Sequence, residues 1–135
     1  MTARPIAVKP RVLVVDDNEQ MRQVIESMLE LMEFEVELAG DGATAVAMTG
    51  VTPYALVLMD VEMPVMDGLA ATAAIRNREQ AELVPAVPII GITGHAGTGT
   101  TMLCRRAGMD DVMLKPFALS QLEEKLHALV DARIN

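Results

Sequence analysis

The sequence predicts an α/β protein with a doubly wound sheet of five parallel strands and helices on both faces. Short apolar runs recur along the 135 residues, and a longer amphipathic stretch follows each of them. Strands that are connected through helices pair in parallel, because a crossover helix returns the chain to the same end of the sheet. The chain has no internal repeat, and its length suits one domain. We therefore expect five strand–helix units in a single sheet.

The first half of the chain begins with the apolar, β-branched segment "RVLVV" at 11–15, which is typical of a buried strand. Apolar residues at helical spacing predict a helix over 18–32, and Asn18 suits its N-cap. Alternating apolar and acidic residues at 34–39 predict a strand that is exposed on one side. A short helix follows at 42–48, and the next glycine and proline end it.

The second half continues the alternation of apolar strands and polar connections. A polar segment broken by prolines predicts a linker at 77–88. The other elements are, in order, a strand at 54–60, a loop at 61–68, a helix at 69–77, a strand at 89–93, a glycine-rich loop at 94–100 leading into a helix through Ala107, a strand at 110–114 and a closing helix at 118–132.

Composition and charge argue against several classes of function. The chain has 11 basic and 19 acidic residues and a net charge of −8. This disfavours binding to nucleic acid or to an anionic membrane, since both need a basic face. No apolar run approaches the roughly 20 residues that span a bilayer. The single cysteine, Cys104, cannot form an internal disulfide, which fits a cytoplasmic location. Residues 1–10 predict a flexible N-terminal arm ahead of a domain at 11–135.

Polar side chains stand at the carboxyl ends of four predicted strands. Asp16 and Asp17 follow the first strand, Asp60 closes the third, Thr93 closes the fourth and Lys115 follows the fifth. The carboxyl ends of parallel strands lie at one edge of a sheet, where ligands bind in folds of this kind. We therefore expect these five side chains to converge.

Such a set of side chains suits phosphoryl transfer. Three close carboxylates need a compensating charge, and Mg²⁺ prefers carboxylates, water and phosphate oxygens. Asp60 can serve as a nucleophile towards phosphorus. Lys115 can neutralise a phosphoryl oxygen, and Thr93 can donate its hydroxyl. The sequence therefore predicts in-line transfer of a phosphoryl group to Asp60.

Four motifs resemble the receiver domain of two-component response regulators: "VVDD" at 14–17, "LVLMDVEMPVMDG" at 56–68, "GIT" at 91–93 and "LKPF" at 114–117. Their order and spacing carry the resemblance, which runs over nearly the whole chain. It implies a flavodoxin-like strand order of 2-1-3-4-5.

The resemblance also implies a role for each strand-end residue. Asp60 would accept a phosphoryl group from the phosphohistidine of a histidine kinase or a phosphotransfer protein. Asp17 and Asp60 would bind Mg²⁺ directly, Asp16 mostly through a water, and Glu62 through its backbone carbonyl. Thr93 would turn towards the new phosphoryl group.

Lys115 would form an ion pair with that phosphoryl group, and similar proteins often have a cis bond at the position of Lys115–Pro116. Glu62 and His95 occupy positions that set the lifetime of the phosphoryl group in similar proteins. Both are therefore expected to affect dephosphorylation.

The sequence departs from the family pattern at Val112, where an aromatic residue that changes rotamer on activation often stands. We expect the signal to run instead through the loop after Thr93 and the helix that follows it. The glycine-rich segment 93–101 predicts a region that stays mobile until phosphorylation or a partner orders it.

We expect the domain to be a switch that phosphorylates and dephosphorylates itself, and not a turnover enzyme. With no output domain after it, it would act through protein contacts, as a stand-alone regulator, a phosphorelay shuttle or a receiver separated from a larger kinase. Similar proteins often use the face made by the fourth helix, fifth strand and fifth helix, here about 97–132.

Two other interpretations fit parts of the sequence. An aspartate-nucleophile phosphatase carries D-x-D after its first strand, whereas the two acids here are adjacent, and the chain has no room for a cap domain. A pseudo-receiver, meaning a binding scaffold that is never phosphorylated, is compatible with Val112. The adjacent acids and the chain length argue against the phosphatase, and the complete acidic set and Lys115 argue against the pseudo-receiver.

Overall fold

The computed structural model of the protein describes residues 9–95 and 97–131, so most of the predicted N-terminal arm lies outside the described residues. All strand pairs in its five-stranded sheet are parallel, in the order β2-β1-β3-β4-β5, which confirms the predicted fold. The strands are β1 Arg11–Val15, β2 Glu35–Ala39, β3 Leu56–Asp60, β4 Ile89–Thr93 and β5 Asp111–Leu114.

Five helices connect and close the sheet. The first three each begin at a side chain that accepts a backbone N–H from the next turn, which stabilises the helix start. The capping residues are Asn18, Asp41 and Asp67, at 2.9, 2.7 and 2.8 Å from the nitrogens they accept from. The helices are α1 Glu19–Leu31, α2 Gly42–Val51, α3 Gly68–Glu82, α4 Thr98–Ala107 and α5 Leu119–Leu126, with a π-helical turn at His127–Asp131 after α5.

The core consists of two apolar layers, one on each face of the sheet. Alternate residues of β1 point into different layers, Leu13 and Val15 into one and Val12 and Val14 into the other. The first layer packs against α2, α3 and α4, and the second packs against α1 and α5. Both faces of the central strands are therefore buried, which explains why those strands are almost wholly apolar. No helix within the described ranges is long and apolar enough to cross a membrane.

The third helix is longer than the sequence predicted. It runs from Gly68 to Glu82, whereas the prediction was 69–77, so the first part of the predicted linker at 77–88 is helical. The segment before the prolines is made of good helix formers, and the helix stops at Leu83, which adopts a left-handed conformation with φ 56°. The prolines therefore correctly indicated a connection before β4, but the helix ends later than the sequence predicted.

Tertiary contacts of Arg76 secure the extra turns of α3. Its guanidinium donates to Glu79 Oε1 at 2.8 Å, to Asp110 Oδ2 at 3.0 Å and to the carbonyl oxygens of Val87 and Gly108 at 2.8 and 2.9 Å. The other oxygen of the buried Glu79 accepts the Val87 N–H at 2.8 Å. Gly108 and Asp110 are distant from Arg76 in sequence, so helical periodicity does not show these two contacts.

Smaller differences occur at other element ends. The second helix continues past the predicted residue 48 to Val51, where Thr49 Oγ1 donates to the carbonyl oxygen of Ala45 at 2.9 Å. It ends because Thr52 precedes a proline and is extended. The predicted mobility of segment 93–101 stays a prediction, and residue 96 in it lies outside the described residues.

Candidate functional site

Three carboxylates meet at the carboxyl edge of the sheet. Asp16 and Asp17 directly follow β1, and Asp60 is the last residue of the neighbouring β3. One oxygen from each of the three lies within 4.8 Å of the others. Asp16 and Asp60 are buried, whereas Asp17 is exposed and leaves the cluster open to solvent on its side. The predicted convergence of these acids is therefore present in the fold.

Asp16 is held by the first turn of α1. The Asn18 N–H donates to Asp16 Oδ1 at 2.9 Å, and Arg22 Nη1 donates to the main-chain oxygen of Asp16 at 2.7 Å. Sequence reasoning assigned Asn18 only as a helix cap and missed Arg22. The one available signal was that Arg22 stands one helical turn after Asn18, on the first turn of the helix that starts at the site.

Lys115 joins the two buried acids across the sheet. Its Nζ lies 3.3 Å from Asp16 Oδ2 and 3.2 Å from Asp60 Oδ1. Burial opposes its charge, yet the carboxylates of Asp60 and Asp16 raise the pKa of Lys115 above its ordinary value, so it stays a cation. The bond between Lys115 and Pro116 is cis, as the resemblance implied.

Asp60 occupies an unfavourable place for a carboxylate. Burial, together with the charge of Asp16, raises the pKa of Asp60 to about 6, although Lys115 and the Glu62 N–H act in the opposite direction. One lysine thus does not fully compensate two buried acids. The site has an unmet requirement for positive charge next to Asp60.

The loop after β3 folds back under Asp60. The Gly68 N–H donates to the carbonyl oxygen of Val61 at 2.9 Å, which closes the loop at the start of α3. A Cβ on Gly68 would collide with the main-chain oxygen of Asp60, so this position requires glycine. At the tip, Val65 is fully exposed with φ 67°, a strained conformation for a β-branched residue.

The side chains of Thr93 and Glu62 are hydrogen-bonded to each other, whereas the Glu62 main-chain N–H donates to Asp60 Oδ1 at 3.3 Å. The Thr93 hydroxyl donates to Glu62 Oε2 at 2.7 Å, and the Gly94 N–H donates to Glu62 Oε1 at 3.2 Å. The His95 N–H donates to Thr93 Oγ1 at 3.0 Å, while the His95 residue is exposed. Sequence reasoning expected these positions near the phosphoryl group but did not find this carboxylate-to-hydroxyl contact.

Val112 lies on β5 opposite Gly91 of β4 and is half-buried against the apolar layer of α2, α3 and α4. A valine there fills core space and has no ring that could move between two positions. Cys104 of α4 is fully buried in the same layer, and burial raises the pKa of its thiol. Val112 and Cys104 therefore both contribute to the apolar layer between the sheet and α2, α3 and α4.

The donor set at the acid cluster fits Mg²⁺. Three carboxylates, two of them buried, supply the hard oxygen ligands that Mg²⁺ prefers, and the open side next to Asp17 leaves room for waters. The raised pKa of Asp60 shows that a further cation would lower the electrostatic cost of this cluster. Asp16, Asp17 and Asp60 could therefore hold a divalent metal ion.

Comparison with known proteins identifies the family. The chain matches the model of the response regulator receiver domain over residues 12–127, a range that contains Asp16, Asp60, Thr93 and Lys115. The chain therefore belongs to the response regulator receiver domain family, the receivers of two-component signalling.

One curated relative is the sensor histidine kinase GacS of Pseudomonas protegens, which is 38% identical over 115 residues. The match covers 85% of this chain but only 12% of that kinase. The chain thus corresponds to a small part of the relative's length.

Two solved structures extend the comparison. The receiver domain of the sensor histidine kinase PA1611 from Pseudomonas aeruginosa PAO1 has a magnesium ion coordinated in its active site cleft. It is 36% identical, with a TM-score of 0.83 over 92% of this chain and 99% of that one. A chain in the co-crystal structure of the Saccharomyces cerevisiae phosphotransfer protein Ypd1 with the receiver domain of Ssk1 is 25% identical. Its TM-score is 0.88, over 95% of this chain and 93% of that one.

Proposed function

We propose that this receiver domain accepts a phosphoryl group on Asp60 in the presence of Mg²⁺ and thereby changes its contacts with other proteins. The observation that carries the proposal is the setting of Asp60. Its buried carboxylate ends β3, lies 3.2 Å from Lys115 Nζ and shares a candidate metal cluster with Asp16 and Asp17. Asp16 is also buried and contacts the same lysine, but it follows β1, whereas Asp60 is itself the last residue of β3.

In the proposed step, an ionised oxygen of Asp60 attacks the phosphorus of the donor. For a phosphohistidine donor the P–N bond breaks, and its electron pair goes to the imidazole, which leaves neutral when its other nitrogen carries a proton. The product is an acyl phosphate on Asp60. Lys115 lies beside the attacking carboxylate and stabilises the negative charge of the transferred group.

Asp17 and Asp60 would hold Mg²⁺ directly, with Asp16 through a water and Glu62 through its backbone carbonyl. When bound, Mg²⁺ supplies positive charge that offsets the acids and the phosphoryl oxygens. The attacking form of Asp60 is the ionised one, so an added cation also favours the reactive state of a carboxyl whose pKa is about 6.

We propose a histidine kinase or a histidine phosphotransfer protein as the phosphoryl donor. Two comparisons support this: the relative GacS is a sensor histidine kinase, and the solved Ypd1–Ssk1 complex joins a phosphotransfer protein to a receiver domain. Asp17 is the exposed member of the cluster, and we propose that the donor approaches the buried Asp60 from this side.

For output we propose the face made by α4, β5 and α5. Three large apolar side chains of this part of the chain are about half exposed, Met102 at 53%, Leu103 at 54% and Leu114 at 45%. An ion pair at 2.8 Å joins Lys125 of α5 to Asp111 of β5. A partner could bury this apolar surface when the loop before α4 changes.

The proposal is tested by intact mass spectrometry after incubation with acetyl phosphate and Mg²⁺. Wild type should gain one phosphoryl group, whereas Asp60→Asn should gain none, and chelation of Mg²⁺ by EDTA should abolish the adduct. Circular dichroism of Asp60→Asn confirms that its fold is kept.

A wild-type chain that gains no adduct and does not bind beryllofluoride, a stable substitute for the phosphoryl group, would contradict the proposal. The remaining interpretation would then be a pseudo-receiver scaffold. Continuous release of phosphate from small phosphate esters would instead indicate a phosphatase.

A further inference from the structure

The carboxylate of Glu62 accepts hydrogen bonds from two donors at the end of β4. Its Oε2 accepts the Thr93 hydroxyl at 2.7 Å, and its Oε1 accepts the Gly94 N–H at 3.2 Å. We call this arrangement, with the Glu62 carboxylate and its two donors, the Glu62 clamp. The Thr93 oxygen in turn accepts the His95 N–H at 3.0 Å, so the clamp holds the start of the loop to α4.

The Glu62 clamp lies beside Asp60. Asp60 and Thr93 are the last residues of the paired strands β3 and β4, and the Glu62 N–H donates to Asp60 Oδ1 at 3.3 Å. Thr93 is 2% exposed, so its hydroxyl has few alternative partners. A hydroxyl and a main-chain N–H next to Asp60 are donors that suit the anionic oxygens of a phosphoryl group. In this structure both donors already bind the Glu62 carboxylate, which resembles a phosphoryl group in being anionic and in offering two acceptor oxygens.

We propose that the Glu62 carboxylate is an internal substitute for the phosphoryl group, and that phosphorylation of Asp60 displaces it from Thr93 and Gly94. The inference rests on the proposed function, because the competing anion is the phosphoryl group on Asp60. The unphosphorylated loop is thus held by one anion and the phosphorylated loop by another. A ligand shifts such an equilibrium only through its different affinity for the two states, and here both anions compete for the same donors.

The Glu62 clamp also provides a route for the signal that needs no aromatic residue at position 112. Release of Gly94 and His95 frees the segment that leads into α4, whose N-cap residue Gly97 makes no side-chain cap bond. Met102 and Leu103, which are about half exposed, lie on α4 directly after this segment in the sequence. A change at Thr93 therefore reaches the proposed output face through the backbone.

The test compares the affinity for beryllofluoride with Mg²⁺ in wild type, Glu62→Ala and Glu82→Ala. Glu82 is an exposed glutamate at the end of α3, at the opposite edge of the sheet, so its substitution changes the net charge equally without touching the clamp. Because the Glu62 residue is exposed and water weakens its two charge-assisted bonds, their loss should tighten binding by only about three- to tenfold in Glu62→Ala. Glu82→Ala should bind as wild type does. Two-dimensional NMR of ¹⁵N-labelled protein reports the binding at the amide of Gly94.

A mutant cycle separates hydrogen bonding from simple removal of a nearby negative charge. The gain from Glu62→Ala is measured again in a Thr93→Val background, where the hydroxyl is absent. The Glu62 clamp predicts a clearly smaller gain there, whereas a charge effect alone predicts the same gain. Without ligand, the Gly94 and His95 amides should exchange with solvent faster in Glu62→Ala than in wild type.

The outcomes distinguish this inference from the proposed function. If wild type binds beryllofluoride and Glu62→Ala binds no tighter, the Glu62 clamp is wrong and phosphorylation of Asp60 still stands. An undiminished gain in the Thr93→Val background also overturns it. If no chain binds beryllofluoride, the proposed function fails, and the clamp fails with it because nothing competes with Glu62.

Discussion

Replacing Asp60 with asparagine should stabilise the metal-free protein. Asp60 is 2% exposed, and burial and Asp16 raise its pKa from 3.8 to about 6. Each unit of that shift corresponds to about 1.4 kcal/mol, so at pH 7 the ionised carboxylate costs the fold about 3 kcal/mol. Asparagine has nearly the same shape and keeps an oxygen that can accept from Lys115. Because a buried amide has a cost of its own, we expect a gain of about 1–3 kcal/mol in the free energy of unfolding.

The pH dependence of this gain follows from the sign of the shift. The pKa of Asp60 is higher in the folded protein, about 6, than the ordinary value of 3.8 expected for the unfolded chain. Between these values the folded state holds a proton that the unfolded state has released, so this group stabilises the fold as the pH falls. The difference between Asp60→Asn and wild type should therefore be largest above pH 6 and should close towards pH 4.

Urea denaturation with EDTA at several pH values measures this difference. Glu82→Gln is a matched control, because it removes one negative charge from an exposed side chain at the end of α3, away from the acid cluster. Added Mg²⁺ should stabilise wild type and not Asp60→Asn. An Asp60→Asn variant that is less stable than wild type at pH 7, or a difference that is the same at pH 7 and pH 4, would contradict an electrostatic cost at Asp60.

Three further substitutions test the contacts around the site by urea denaturation. Lys115→Met leaves Asp16 and Asp60 without their cation and should destabilise the metal-free protein by about 2–4 kcal/mol at pH 7; an unchanged midpoint would contradict the ion pairing. Arg76→Ala removes the contacts that secure the end of α3 and should lower the free energy of unfolding by about 3 kcal/mol. Arg76→Lys should restore little of this stability, because one ammonium group cannot reach all the partners of a guanidinium. Gly68→Ala brings a Cβ against the main chain of Asp60, so it should lower the free energy of unfolding by about 2–4 kcal/mol and weaken Mg²⁺ binding. Gly99→Ala is its control, because a Cβ there meets no other atom, and it should be neutral or slightly stabilising. Equal effects of the two substitutions would rule out the collision at Gly68.

The fold and the grouping of the acids could be predicted from the sequence because both follow from periodicity. Apolar runs separated by helices lead to parallel strands, and the ends of parallel strands meet. Asp16, Asp17, Asp60 and Lys115 therefore come together in the fold as expected. The roles assigned to them in phosphoryl transfer remain proposals.

Features that depend on distant side chains were not predictable in the same way. The length of α3 depends on Arg76 reaching Gly108 and Asp110, and the support of Asp16 depends on Arg22 reaching a main-chain oxygen. The contact between Thr93 and Glu62 depends on which rotamer each side chain adopts, which residue spacing does not determine. Such contacts follow from the three-dimensional arrangement of side chains and not from residue spacing.

The most direct test of the central claim is to locate the phosphoryl group on the chain. An acyl phosphate is reduced by borohydride, which converts the phosphorylated aspartate to homoserine, and peptide mass spectrometry then identifies the position. After treatment with acetyl phosphate and Mg²⁺, we expect homoserine at position 60 and at no other aspartate. Homoserine at position 16 or 17, or none after a phosphoryl adduct has been observed, would contradict it.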